Sequence, residues 1–383
     1  RILVAPGSAM ASRSATPVGY LITVFLLASP AAGAGAPFRR IFAFGDSYTD
    51  TGNTHSATGP NAFTYVSRLP YGTTFFHRPT NRYSDGRLVI DFVSESLSLP
   101  YLPPYLNLRA DASHGVNFAV AGATAIPHDF FARNNLTLDI TPQSLQTELR
   151  WFDRALERQG CRGSATPRPC AAVFDDALFW VGEIGANDYA YTVGSDMPSS
   201  TIQKLSIQSV TGFLEAILGR GAKYVVVQGL PPTGCLPLAL ALAGAGDRDR
   251  MGCVASANRQ SYDQNTVLQG RLRDIRRRFP RAEILYADFW GAYRSVMANA
   301  TGYGFRERFR ACCGSGGGAL NFMVSAACGS PSASACGDPW AYINWDGVHL
   351  TEAMHRAVAD SVLRGPFCSP SFQHLVSVKG RRG

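Results

Sequence analysis

The chain has 383 residues, 46% hydrophobic and 17% charged, with a formal net charge of +8. That is enough for one large domain with a sizeable core, and it excludes an intrinsically disordered chain. The positive surplus is dispersed apart from Arg276-Arg277-Arg278 and a "KGRRG" tail. No basic stripe interleaves with aromatics, so a nucleic-acid partner is not expected.

The elements follow in chain order. "VGYLITVFLLA", Val18 to Ala28, is an apolar run with Arg13 before it and "SPAAGAGA" after it. That is the pattern of a secretory signal, and the run is too short to span a membrane. The chain begins at Arg1, and Met10 reads as the translation start, with residues 1–9 upstream. Residues 1–36 are therefore expected to be leader, 37–370 one domain, and 371–383 a basic C-terminal tail. "RIFAF" reads as a short buried strand, and "GVNFAVAG", Gly115 to Gly122, as a second. Thr141-Pro142 is a helix start signal ahead of Leu145, Leu149, Phe152 and Leu156 at helical spacing. "ALFWVGEIG" is a third strand, followed by a helix over about Thr201 to Leu218. "YVVVQGL" is a fourth strand, followed by a helix over about Ala257 to Phe279. "AEILYADF" is a fifth strand, and a last helix follows Thr351 to about Leu363. Short apolar strands alternating with helices predict an α/β fold whose mostly parallel five-stranded sheet is covered on both faces. In such sheets ligands bind at the carboxyl ends of the strands.

The nine cysteines fit an oxidising compartment, with disulfides and one thiol left over. Cys161 with Cys170, and Cys235 with Cys253, are the local pairings expected. Cys312 and Cys313 are expected to pair with Cys328 and Cys336 rather than with each other. A zinc site is disfavoured because CxxC spacing is lacking. Asn135 and Asn299 begin glycosylation sequons, relevant if the chain is secreted.

"FAFGDSYTDTGN" puts Ser47 just past the first strand, between small polar residues on the turn at Gly45. A serine there is either a helix cap or a nucleophile. A nucleophile needs a base, usually a histidine oriented by a carboxylate. Two histidines follow an aspartate by three residues: His114 after Asp111, and His349 after Asp346. His114 precedes the second strand, at the wrong end of the sheet. His349 follows the last strand and can reach the carboxyl end, so Asp346 and His349 are the expected pair. His355, inside the last helix, is expected to pack or lie on the surface. Oxyanion donors are expected at other strand ends: the N–H of Gly122 after the second strand and the amide of Asn187 after the third. Aromatic-rich "PYGTTFFHRPTNRYSDGRL" and "HDFFARNNL" either wall a pocket or pack the core.

These residues resemble the plant GDSL esterase/lipases of the SGNH hydrolase superfamily. "FAFGDSYTDTGN" is similar to the first family block, with Tyr48 where leucine often stands. "GVNFAVAGATA", "GEIGANDY" and "DGVHLTEAMH" are similar to further blocks, and the likeness runs from about residue 38 to 370. The resemblance implies a flavodoxin-like three-layer α/β/α sandwich. It implies Ser47 as nucleophile, His349 as base and Asp346 as its orienting carboxylate. Ser47, Gly122 and Asn187 would form the oxyanion hole. The G-x-S-x-G elbow of ordinary lipases is absent. The expected activity is secreted serine esterase chemistry, with no metal or organic cofactor, on a small-molecule or polysaccharide ester, by a monomer without a transmembrane segment. The alternatives are an acyltransferase sharing the acyl-Ser47 intermediate, and a retired carbohydrate- or partner-binding scaffold.

Overall fold

The computed structural model describes residues 37–57, 64–136, 141–161 and 168–382. The expected leader, 1–36, lies outside the described residues. Among them, no helix is long and apolar enough to cross a membrane.

Five parallel strands form the sheet: β1 (Arg40–Phe44), β2 (Gly115–Asn117), β3 (Ala177–Val181), β4 (Tyr224–Gln228) and β5 (Glu283–Ala287). Their order across the sheet is β2-β1-β3-β4-β5. A sixth strand, Cys368–Ser369, closes the β5 edge in antiparallel orientation, so the sheet is one strand wider than expected. Two residues are too few to carry a readable alternation. β1 lies between β2 and β3, and the chain reverses its direction of winding there. That switch opens a crevice beyond the carboxyl ends of β1 and β3.

Alternate side chains of each strand feed two cores, which makes three layers. Phe42, Phe44, Phe179, Val181, Val225 and Val227 face one side, against helices Leu145–Arg158, Ser199–Arg220 and Ala255–Arg278. Ile41, Ala43, Leu178, Trp180 and Val226 face the other, against Val89–Ser96, Phe289–Ala298 and Glu352–Leu363.

Three local expectations are corrected. β2 ends at Asn117, not Gly122. Beyond it Phe118 N–H and Val120 N–H still donate to the carbonyls of Ala43 and Gly45, but the carbonyls of Asn117 and Ala119 accept from Asn53 Nδ2 and Ala119 N–H donates to Asn117 Oδ1. The helix expected to open at Thr141-Pro142 begins at Leu145 with Ser144 as its cap position. The residues before it run extended, with Gln143 O accepting from Thr124 N–H and Leu145 N–H donating to Thr124 O. The segment expected as a basic C-terminal tail, 371–383, forms a helix over Phe372–Arg382. Its Leu375 and Val378 are buried in the core beside the sheet, and Lys379 Nζ reaches Asp176 Oδ1 at 3.0 Å.

The disulfides are Cys161–Cys170, Cys235–Cys253, Cys312–Cys336 and Cys313–Cys328. Both local pairings and the split of the Cys312-Cys313 pair agree with the sequence reading. Cys368 is the leftover thiol, buried in the edge strand.

Candidate active site

Ser47 sits in the loop leaving β1. Gly45 makes that turn with φ +140°, and a Cβ there would lie 3.2 Å from the carbonyl oxygen of Glu183. Only glycine tolerates both constraints. The Asp46 carbonyl accepts from Thr49 N–H and Asp50 N–H, winding the loop by one turn. The capping work falls to carboxylates rather than to the serine. Asp46 Oδ1 accepts from Tyr48 N–H, and Asp50 accepts from the N–H groups of Gly52, Asn53 and Thr54. The Ser47 hydroxyl is left with no hydrogen-bond partner among the described residues, near the surface at 7% exposure.

Asp346 and His349 lie between strand Tyr342–Asn344 and helix Glu352–Leu363. Asp346 Oδ1 accepts from Val348 N–H and His349 N–H, both at 2.7 Å. Its Oδ2 takes the His349 Nδ1–H at 2.9 Å and the Tyr71 hydroxyl at 2.9 Å. Burial pushes the Asp346 carboxyl up, but the facing imidazole and these hydrogen bonds outweigh it and hold the group below the usual range. An ionised Asp346 fixes the proton on Nδ1 and leaves the Nε2 lone pair available. The imidazole is held between Tyr83 and Tyr48, with ring centroids 4.5 Å and 5.7 Å away.

Tyr48 joins the two loops. Its hydroxyl donates to the carbonyl of Val348 at 2.6 Å, tying the residue after Ser47 to the residue before His349. Burial holds the phenol well above its ordinary range, so it stays a donor. His114 lies at the amino end of the sheet, where its carbonyl accepts from Ile41 N–H, as the sequence order implied. His355 is fully buried, and neither ring nitrogen has a hydrogen-bond partner among the described residues. Burial, with His349 nearby, pushes its pKa down to about 3, so it is neutral.

The other two strand ends converge on the same edge. Gly122 takes φ +78°, and its carbonyl accepts from the Tyr191 hydroxyl. The backbone N–H groups of Ser47 and Gly122 donate to no protein group among the described residues. Asn187 follows β3 through Gly185. Its Nδ2 donates to Asp46 Oδ2 and to the carbonyl of Ala123, both at 3.0 Å. The amide was expected to point at a ligand. Here it braces the loops after β1, β2 and β3 together, with both its hydrogens engaged.

Sequence reasoning missed the partners of these residues. Tyr71 reaches Asp346 across 275 positions, and Tyr83 packs on His349. Of the first aromatic stretch these two belong to the site, whereas Phe75 and Phe76 pack under Arg87 and Arg82. "HDFFARNNL" contributes Phe131 to a core beside Tyr191. Five carboxyls, Asp46, Asp50, Glu148, Glu183 and Asp188, are buried around the ends of β1 and β3. Glu148 Oε2 accepts from Gly45 N–H, and Asp188 accepts from Ala125 N–H and Ile126 N–H. Burial raises the Asp188 carboxyl to about 7.

A flavodoxin-like sheet with Ser47, the Asp346–His349 pair, Gly122 and Asn187 gathered beyond its strand ends has the layout of an SGNH-type hydrolase. Residues 41–362 match the family described as GDSL-like Lipase/Acylhydrolase, and the chain belongs to it. It is 53% identical over 374 residues to a GDSL esterase/lipase of Arabidopsis thaliana, covering 95% of this chain and 96% of that one. It is 37% identical over 358 residues to acetylajmalan esterase 2 of Rauvolfia serpentina, covering 91% and 96%. It is 38% identical over 344 residues to sinapine esterase of Brassica napus, covering 88% and 87%. The activity is that of a carboxylic ester hydrolase.

Proposed function

We propose that the protein is a secreted esterase that cleaves small carboxylic esters through an acyl-enzyme on Ser47. The observation that carries this reading is the Asp346–His349 pair. Asp346 holds the Nδ1 proton and leaves Nε2 as a base, while the Ser47 hydroxyl in the adjoining loop has no competing partner among the described residues. His349 takes the hydroxyl proton as Ser47 Oγ attacks the ester carbonyl. The carbonyl oxygen becomes an oxyanion facing the N–H groups of Ser47 and Gly122 and the Asn187 amide. Because both Asn187 hydrogens are engaged, its donation requires the amide to exchange or share one of them. As the tetrahedral intermediate collapses, the carbon–oxygen bond to the alcohol breaks and His349 protonates that alcohol. His349 then draws a proton from water as the water oxygen attacks the acyl carbon; the bond from that carbon to Ser47 Oγ breaks, His349 returns the proton to Oγ, and the carboxylic acid leaves.

Relatives named for acetylajmalan and for sinapine favour a small specialised ester over wall polysaccharide or lipid. Four disulfides support an oxidising compartment such as the apoplast, and both sequon asparagines, Asn135 and Asn299, are exposed. A monomer without a membrane anchor fits this reading. The test is hydrolysis of an ester panel, acetyl, phenolic and long-chain, by wild type and Ser47→Ala. Turnover of the small esters, lost in the variant, is expected. Full activity of Ser47→Ala would overturn the reading.

A further inference from the structure

The segment from Tyr71 to Leu88 folds back on itself, with Gly72 N–H donating to Ser84 O and Thr74 N–H to Asp85 O. It is clamped to the start of the helix Glu352–Leu363, which follows His349. Arg87 donates from its backbone N–H and its Nη2 to the two oxygens of Glu352, and Asp85 Oδ1 accepts from Glu352 N–H. This clamp brings two tyrosines to the acid–base pair. Tyr83 packs on the imidazole, while the Tyr71 hydroxyl donates to Asp346 Oδ2 at 2.9 Å. The Tyr71 ring is buried, edge-on to Tyr83 and Trp345 with centroids 6.0 Å and 5.9 Å away, so the hydroxyl is held in place. Asp346 therefore accepts from two backbone N–H groups on Oδ1, and from His349 Nδ1–H and the phenol on Oδ2. Donors in this number fill the acceptor sites of a carboxylate.

A phenol bonded to an ionised carboxylate is a charge-assisted donor and takes up part of the negative charge. The oxygen it binds is one that faces His349 Nδ1. Less charge there means weaker stabilisation of a protonated imidazole. We propose that Tyr71 is a positioning residue that acts through Asp346, drawing charge from Oδ2 so that His349 works as a base further into acidic pH. The inference rests on the reading of His349 as the base. The other ionisable groups facing the pair are Tyr83 from the same segment, Asp46 and Tyr48 from the loop after β1, and His355 from the helix Glu352–Leu363. Burial keeps the Tyr48 and Tyr83 phenols protonated and His355 neutral, so these hold their charge across the working range. Asp46, raised to about 6 by burial, titrates within it in wild type and variant alike. Burial, with Asp346 beside it, holds the Tyr71 phenol well above its ordinary range, so it stays a donor.

The experiment measures kcat and KM for p-nitrophenyl acetate from acidic to mildly alkaline pH in wild type, Tyr71→Phe and His349→Ala, each beside a thermal melt. Tyr71→Phe keeps the packed ring and removes the hydroxyl alone. Its acid limb of kcat/KM is expected to move up by roughly 0.5–1 pH unit, which lowers activity about three- to tenfold on the acid side and less on the plateau. The His349 Cε1–H resonance, followed by NMR, reads the imidazole without turnover and should titrate at correspondingly higher pH in the variant. An acid limb and a resonance that titrate where they do in wild type would overturn the proposal. So would a loss of kcat that is uniform across pH, since that is what a purely structural hydroxyl would give. Full activity of His349→Ala would instead overturn the reading of the site on which the proposal stands.

Discussion

Replacing Asp346 by asparagine changes almost no volume but reverses the hydrogen bonding around His349. Asp346 Oδ1 accepts two backbone N–H groups at 2.7 Å, and an asparagine carbonyl oxygen would keep that place. The amide nitrogen then falls where Oδ2 stood, 2.9 Å from His349 Nδ1. An amide NH2 can only donate, and the carbonyl oxygen 3.0 Å from Nδ1 is already taken by two backbone N–H groups, so Nδ1 becomes the acceptor and the proton moves to Nε2. The imidazole then presents Ser47 with an N–H instead of a lone pair. Loss of the base in this manner lowers kcat by about 10⁴-fold, on the order of 5 kcal/mol of barrier. The Tyr71 hydroxyl, which donates to Oδ2 in the native protein, can rotate to accept from the new amide. Folding stability should therefore fall by only about 1–3 kcal/mol. The assay is kcat on p-nitrophenyl acetate beside a thermal melt. A folded Asp346→Asn with kcat within tenfold of wild type would refute the reasoning, because it would mean that Asp346 does not set the proton on His349.

Other outcomes follow from the same contacts. Tyr48→Phe strips the donor from the buried bond to Val348 O and should cost about 1–3 kcal/mol in denaturant unfolding, with a lower kcat as the His349 loop loosens. No change in either quantity would show that this link is idle. Replacing both Cys313 and Cys328 by alanine opens a loop of sequence separation 15 and should cost about 3 kcal/mol of stability by equilibrium unfolding. Asp188 has a folded pKa near 7 against 3.8 for the free group, raised by burial. The folded state holds that proton more tightly than the unfolded one. The stability it contributes is thus complete below 3.8 and is lost as pH rises through about 7, by a few kcal/mol. Unfolding titrations across that window should show a shallower decline in Asp188→Asn than in wild type, and parallel slopes would contradict the assignment.

The strands β3, β4 and β5 were legible because they are buried on both faces and read as unbroken apolar runs. The same logic misjudged β2, because the side chains that end it, Asn53 and Asn117, act across 64 positions. The helix Phe372–Arg382 was hidden by its basic residues, although Leu375 and Val378 sit at helical spacing. Ser47 was legible as a candidate because it lies just past a recognisable strand end, and Asp346 and His349 because their spacing of three residues falls just before the last recognisable helix. Tyr48 gave a faint signal, a tyrosine where leucine often stands, but its partner Val348 is 300 residues away.

The most direct test is covalent labelling of the disulfide-bonded protein with a fluorophosphonate, followed by peptide mapping. One phosphonyl group on Ser47, absent in Ser47→Ala and strongly slowed in His349→Ala, is the expected result. A folded wild type that takes no label, or a label mapped to another residue, would contradict an activated serine at this site.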